Sequence, residues 1–310
     1  MKIIFMGTPD FAVSSFRKIA ASGKNIIAVV TQPDRPKGRG QAVVSPPMKN
    51  EALRHGIPVF QPEKVREMEF QGSLRDLAPD MIVVVAFGQI IPKSILDLPR
   101  LGCVNLHASL LPKYRGAAPI EYAIMKGEAR TGNTTMLMDV GLDTGDILLQ
   151  EEMDIPPEAD ALFLYKKLSE DGADLLLKTV EGLEKGVLQP LPQNNAEATF
   201  APRLKKEDGL IRWDRENSEI VNQVRGLATW PVAYAFLGGT RIKIWKAEIS
   251  PLSLKQEPPG KIVGVDHRGI HVSSAKGGVL LKEIQVEGKK RMAAHQFLQG
   301  HKIETGNFFE

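Results

Sequence analysis

The run GCVNLHASLLPKYRGAAP places a carboxamide, Asn105, two residues before an imidazole, His107. Side chains alternate faces along a strand, so Asn105 and His107 share one face while Val104 and Leu106 share the other. Either polar residue alone is commonly a satisfied core group. As a pair at the end of an apolar run, followed by a Pro-bounded loop, they point to chemistry. Further on, MDVGLDTGDIL sets Asp143 between Gly141 and Gly145, on a turn from which a carboxylate can reach an imidazole. An Asn, a His and an Asp with no nucleophilic serine suit acyl transfer to an amine. Asn105 and a protonated His107 would stabilise a developing oxyanion, and Asp143 would orient the imidazole and accept a proton, directly or through water.

Competing chemistries lack their usual residues. GTPDF after the first strand has no second glycine of a dinucleotide fingerprint, and no P-loop sequence occurs. His267 and His271 flank a glycine in strand-like sequence, a poor start for a shared metal. No serine stands in a nucleophile elbow. Cys103, the one cysteine, lies in an apolar run and reads as a buried, inert thiol in a reducing compartment.

The elements that must hold the site follow from hydrophobic pattern. KIIFMG reads as a first strand, and DFAVSSFRKIAASG as a helix that Thr8 or Asp10 would cap and Gly23 would stop. NIIAVVTQ is a strand, residues 47 to 55 a helix, PVFQ a short strand, and a further helical stretch ends at Pro79. MIVVVAFG is apolar on both faces, as expected of a central parallel strand covered by helices. ALFLYKKLSEDGADLLLKTVEGLEKG reads as one long amphipathic helix. This is the pattern of an α/β, doubly wound, mostly parallel sheet with its ligand at the carboxyl ends of the strands. Residues 1–188 are expected to form that domain. Residues 189–204, with three prolines and two asparagines, are expected to be a linker. Residues 205–310 switch to short strands between glycine turns (VAYAFL, TRIKIWKAEI, GKIVGVD, GIHVSSA, GVLLKEIQVEG) and a short helix at 292–299, the texture of a small β-barrel of OB-like kind.

Net charge is +3 over 310 residues, but 205–310 carries 17 Lys+Arg against 12 Asp+Glu, an excess that would suit a polyanion such as RNA. Residues 33 to 47, PDRPKGRGQAVVSPP, read as a long loop in which Arg35, Lys37 and Arg39 stand beside Gly38 and Gly40, cations with the reach to meet a phosphate backbone. Without a leader or an apolar run of membrane-spanning length, a cytoplasmic protein is expected, with no membrane partner and nothing that asks for more than a monomer.

In order and spacing, GTPDFA, TQPDRPKGRG, AFGQIIP, NLHASLLPKYRGAAPI and GLDTGDIL resemble the folate-dependent formyltransferases, and the likeness extends over the whole chain. That resemblance implies a formyltransferase-like variant of the Rossmann fold and 10-formyltetrahydrofolate as formyl donor, with no metal. Within the family the closest likeness is to the branch that formylates the α-amino group of initiator methionyl-tRNA. On this basis Asn105 and His107 hold the formyl oxygen and Asp143 pairs with His107. Ser109, Leu110, Leu111 and Pro112 would wall the folate site, and Phe87, Gly88, Gln89 and Ile90 would offer backbone groups and apolar contacts to the pterin. The 33–47 loop would meet the tRNA acceptor end, Arg39 foremost with Arg35 and Lys37. Lys205 and Lys206, with Arg241, Lys243, Lys289, Lys290 and Arg291, would add a basic surface. Two other acceptors fit the same core, an amino sugar nucleotide or water. A non-catalytic RNA-binding protein fits the charge but leaves Asn105, His107 and Asp143 unexplained.

Overall fold

The computed structural model describes residues 1–37, 42–252, 257–300 and 303–310. In chain order the elements are β1 (Lys2–Gly7), α1 (Asp10–Ala21), β2 (Asn25–Val30), β3 (Arg35–Lys37), β4 (Ala42–Val44), α2 (Pro47–Arg54), β5 (Val59–Phe60), α3 (Met68–Leu77), β6 (Met81–Val85), α4 (Lys93–Leu96) and β7 (Cys103–His107). There follow β8 (Arg115–Gly116), α5 (Pro119–Met125), β9 (Arg130–Leu137), β10 (Ile147–Asp154), α6 (Ala161–Glu184), β11 (Phe200–Ala201), α7 (Asn217–Gly226) and β12 (Ala233–Leu237). The last are β13 (Thr240–Ile249), β14 (Ile262–Asp266), β15 (Gly269–Ser273), β16 (Gly278–Val286), β17 (Met292–Ala293) and α8 (Ala294–Gly300). They divide into two compact units: residues 1–116, 131–153 and 165–200 form one, and 117–130, 154–164 and 201–310 form the other.

The first unit is built on a seven-stranded sheet of order β10-β9-β7-β6-β1-β2-β5. The pairs β1–β2, β1–β6, β2–β5 and β6–β7 are parallel, and β9 joins β7 antiparallel. β6, all apolar and fully buried, occupies the centre as its sequence requires. Alternation sends Ile4, Met6, Ala28, Val30, Ile82 and Val84 to one face, where Phe70 and Leu74 of α3 and Ile95 of α4 cover them. On the other face the Phe5 ring meets Phe16 of α1 edge-on at 5.6 Å. Each such large side chain taken out of water contributes about 1.5–3 kcal/mol.

The chain runs outward from β1 through β2 to β5, then returns to the other side of β1 and continues through β6, β7, β9 and β10. The crevice where that direction reverses lies at the carboxyl ends of β1 and β6, where doubly wound sheets hold ligands. Gly7, the last residue of β1, admits α1 close to the strand: a Cβ there would lie 2.7 Å from the Ala12 Cβ. Capping of α1 differs from expectation. Pro9 is the N-cap and no side chain caps the helix. The Thr8 hydroxyl instead donates to the Phe87 carbonyl at 2.9 Å, joining the two strand ends across the crevice.

The described residues of 33–47 depart from the expected long loop at 35–37 and 42–44. β3 and β4 pair antiparallel as a hairpin, Arg35 opposite Val44 and Lys37 opposite Ala42. The β-branched pair Val43-Val44 favours extended backbone. At the root of the hairpin, Asp34 accepts from Lys49 Nζ and Gln61 Nε2, both at 2.7 Å.

In the second unit β12-β13-β16-β15-β14 form an antiparallel sheet, with β17 added to β16. The C-terminal segment joins the two edges. Glu310 exchanges a pair of backbone hydrogen bonds with Phe236 of β12, while Ile262 of β14 donates to the Asn307 carbonyl and accepts from the Gly306 amide. The strip thereby closes into a small barrel around Ile242, Ile244, Ile262, Ile270, Val272, Val279 and Leu281. Helix α7, which has no counterpart in the sequence reading, adds Ile220 and Val224 to this core.

Candidate active site

β7 carries two of the three expected residues. Asn105 stands between Val84 of β6 and Met136 of β9, and His107 opposite Thr134 of β9. Both are largely buried, at 9% and 6% exposed. The Asn105 carboxamide has no hydrogen-bond partner among the described residues, so its donors remain available. His107 Nε2 lies 2.9 Å from the Tyr114 carbonyl. That carbonyl can only accept, so Nε2 carries the hydrogen. The other ring nitrogen, Nδ1, faces Asp143 Oδ2 at 3.7 Å. The direct hydrogen bond that orients the ring thus comes from the Tyr114 backbone, and the Asp143 carboxylate stands just beyond hydrogen-bond range.

A folded turn brings the Tyr114 carbonyl there. The Ser109 hydroxyl donates to the Lys113 carbonyl at 2.6 Å, the Leu111–Pro112 peptide is cis, and Tyr114 has φ of 61°. Thr134 pins the turn to β9, donating to the Ser109 carbonyl at 2.6 Å and accepting from the Leu111 amide at 3.1 Å. Gln150 of β10 donates to the Leu111 carbonyl at 2.8 Å and to the Thr134 hydroxyl at 2.9 Å. Ser109 and Leu111 are buried, while Leu110 and Pro112 keep partly open faces.

Asp143 arrives on the connection from β9 to β10. The Asp139 carboxylate folds it, accepting from the Gly141 amide at 3.0 Å and the Thr144 hydroxyl at 2.6 Å. Asp143 sits at φ 52°, a left-handed conformation that Asp tolerates better than most side chains. Its Oδ2 accepts from the Gly116 amide at 2.8 Å. Gly145 is required by proximity, since a Cβ there would fall 1.7 Å from the Leu137 carbonyl oxygen.

The remaining expected residues fall as follows. The Phe87 ring is buried in the core, and its carbonyl accepts from Thr8 and, at 3.2 Å, from Gln32 Nε2. Gly88 has φ of 89°. The Gln89 side chain turns back to residues 62–65, accepting from the Val65 amide at 2.9 Å. Ile90 is 89% exposed. Arg35 is exposed and paired with Glu63 at 2.7 Å. Lys37 is on β3, and Arg39 lies outside the described residues. Lys205 and Lys206 are exposed at the start of a short 3-10 turn, as are Lys289 and Lys290 beyond β16. Arg241 stacks over the Tyr234 ring at 4.1 Å, and Arg291 bonds Glu283 at 2.6 Å while lying over Trp245.

Sequence reasoning missed Tyr114, Thr134 and Gln150. Thr134 and Gln150 stand in no motif of their own, and Tyr114 acts through its backbone. Cys103 is buried, and burial pushes its thiol up to about 12, so it is inert near neutrality. Among the described residues no group of three or more His, Cys, Asp or Glu is arranged to hold a metal, and no helix is long and apolar enough to cross a membrane.

Residues 1–180 match the formyl transferase family, and residues 203–302 match the formyl transferase C-terminal domain. The chain is 50% identical over 307 residues to the methionyl-tRNA formyltransferase of Geotalea uraniireducens, covering 99% of this chain and 97% of that one. It is 49% identical over 306 residues to that of Citrifermentans bemidjiense, covering 99% and 95%. Among solved structures, an N-formyltransferase from Helicobacter canadensis in complex with folinic acid and dTDP-3-aminofucose superposes with a TM-score of 0.69 at 20% identity, over 91% of this chain and 98% of that one. Methionyl-tRNA formyltransferase from Clostridium thermocellum superposes at 0.56 and 20% identity, over 81% and 94%. With its two family matches in sequence order and full-length relatives at half identity, the chain belongs to the formyl transferase family.

Proposed function

We propose that the protein transfers a formyl group from 10-formyltetrahydrofolate to the α-amino group of initiator methionyl-tRNA. The observation that carries the chemistry is the meeting of Asn105, His107 and Asp143 at the carboxyl end of β7, with the Asn105 carboxamide unpartnered among the described residues. The acceptor is supported by the names of relatives at half identity over nearly the whole chain.

In the step proposed, the amine nitrogen bonds the formyl carbon and the bond from that carbon to N10 of the folate breaks. The ammonium loses a proton and N10 gains one, so charge balances. An α-amino group with an ordinary pKa of roughly 7.7–8.0 needs only modest help to lose it. Asn105 donates to the formyl oxygen as it becomes anionic, the His107 ring held by Tyr114 stands beside it, and the Asp143 carboxylate receives the proton. Support for the donor comes from the exposure of apolar surface on the segments expected to hold it: Leu110 and Pro112 are partly open and Ile90 is exposed.

Arg35 and Lys37 of β3, Arg39, and Lys205 and Lys206 are the proposed tRNA contacts, with Arg241, Lys243, Lys289, Lys290 and Arg291 as further cations. We take residues 1–188 as the catalytic domain, 189–204 as linker and 205–310 as the tRNA-binding barrel, in a monomer working in the cytoplasm. The test offers the protein 10-formyltetrahydrofolate with methionyl-tRNA, with an amino sugar nucleotide, or with water alone. Formylmethionine released from the tRNA arm, at a rate far above the other two, is expected. Formylation of the sugar alone, or simple hydrolysis of the donor, would overturn the assignment.

A further inference from the structure

Between α6 and β11 the chain runs mostly exposed, yet Gln193 is drawn inward and its carboxamide is fully engaged. Its Oε1 accepts from Arg115 Nε at 3.1 Å and Nη2 at 2.7 Å. Its Nε2 donates to the backbone carbonyls of Asp143 at 2.8 Å and Gly145 at 2.7 Å. Arg115 is buried and also donates from Nη2 to Asn195 Oδ1 at 2.8 Å. Gly116, the next residue, donates its amide to Asp143 Oδ2. These contacts close a ring: the Asp143 carboxylate to Gly116, along the chain to Arg115, across to Gln193, and back to the Asp143 carbonyl.

We propose that Gln193 is a positioning residue for formyl transfer, fixing where the Asp143 carboxylate stands relative to His107; this rests on the function proposed above. The chemistry asks for a carboxamide. A guanidinium on one side can only donate and two carbonyls on the other can only accept, so the side chain between them must offer an acceptor and two N–H groups. Asp143 lies in a left-handed conformation 3.7 Å from His107 Nδ1, a separation that a small rotation of its backbone would widen. Holding its carbonyl and its carboxylate at once prevents that rotation.

Gln193→Ala is expected to lower kcat about 10- to 100-fold, the effect of a catalytic group displaced by about an ångström. The KM values for both substrates should stay within about twofold, because the residue touches neither on this reading. Gln193→Glu keeps an acceptor for Arg115 but sets a carboxylate against two carbonyls, so it should be no faster than the alanine variant. In an Asp143→Asn background, Gln193→Ala should cost little more, since residues acting as one unit are not additive. Should the alanine variant not fold, Gln193→Met, of similar length, takes its place in the cycle; failure of both to fold would overturn the proposal in favour of a purely structural role. So would unchanged kcat, a loss confined to KM, or full additivity with Asp143→Asn. Wild-type protein that transfers no formyl group to methionyl-tRNA would instead overturn the proposed function, so the two failures are distinguishable.

Discussion

The Asn105 carboxamide has no hydrogen-bond partner among the described residues, and its proposed task is to donate to an oxygen that gains charge as the formyl group moves. Asn105→Ala should therefore lower kcat by about 10²–10³, the usual cost of one oxyanion donor, with little change in thermal stability. Transfer kinetics beside a melting curve check this. A second residue-scale outcome concerns Glu51 of α2, buried at 5% exposure, with Arg17 Nε bonded to it at 2.7 Å. That guanidinium holds the Glu51 carboxyl down to about 2 from an ordinary 4.5. A depressed carboxylate contributes stability that is full above its unfolded pKa and is lost as pH falls toward the folded one. Wild-type stability should thus decline between about pH 4.5 and 2, and Glu51→Gln should be less stable at neutral pH with a flatter decline across that window; acid titrations of the melting temperature would show it. Asn105 and His107 were legible because a strand's period of two puts them on one face. Tyr114 was not, because what it contributes is a carbonyl, and every residue has one.

At the scale of elements, the site is a strand end, β7, and two turns folded against it. The β9–β10 connection returns so tightly that a methyl on Gly145 would meet the Leu137 carbonyl oxygen. Gly145→Ala should therefore shift the backbone that carries Asp143 and reduce kcat far more than the melting temperature, which parallel activity and unfolding measurements would separate. β1, β2, β5, β6 and β7 could be read from the sequence, a buried parallel strand such as MIVVV having almost no alternative, whereas β9 and β10 were not read as strands. The pairing of β3 with β4 could not be read, since Pro36 and the glycine-rich sequence that follows read as loop, and the pairing of Arg35 with Val44 is visible only once the chain has folded. Helix α7 was missed for a local reason. NSEIVNQVRG is largely polar, and its start is marked by a Glu219 carboxylate accepting from the Glu216 amide rather than by a Ser, Thr, Asn or Asp cap.

At the scale of the molecule, the chain forms two units whose cores are made differently. The first relies on sequential βαβ packing, which leaves a regular trace in the sequence. The second depends on its last residues, whose partners lie far away in the chain: Phe309, buried at the end, donates its amide to the Gly260 carbonyl, and Glu310 pairs with Phe236. Nothing in GNFFE signals this. Removal of residues 306–310 should lower the melting temperature of the second unit and speed amide exchange at Phe236 and Ile262, which hydrogen exchange would detect. The central claim remains chemical, that Asn105, His107 and Asp143 act together on one formyl group. Single-turnover transfer from 10-formyltetrahydrofolate to methionyl-tRNA, compared between wild-type protein and folded Asp143→Asn, tests it most directly. The account predicts rapid transfer by the wild type and a loss on the order of 10²-fold or more in the variant; a folded Asp143→Asn protein that transfers at the wild-type rate would contradict it.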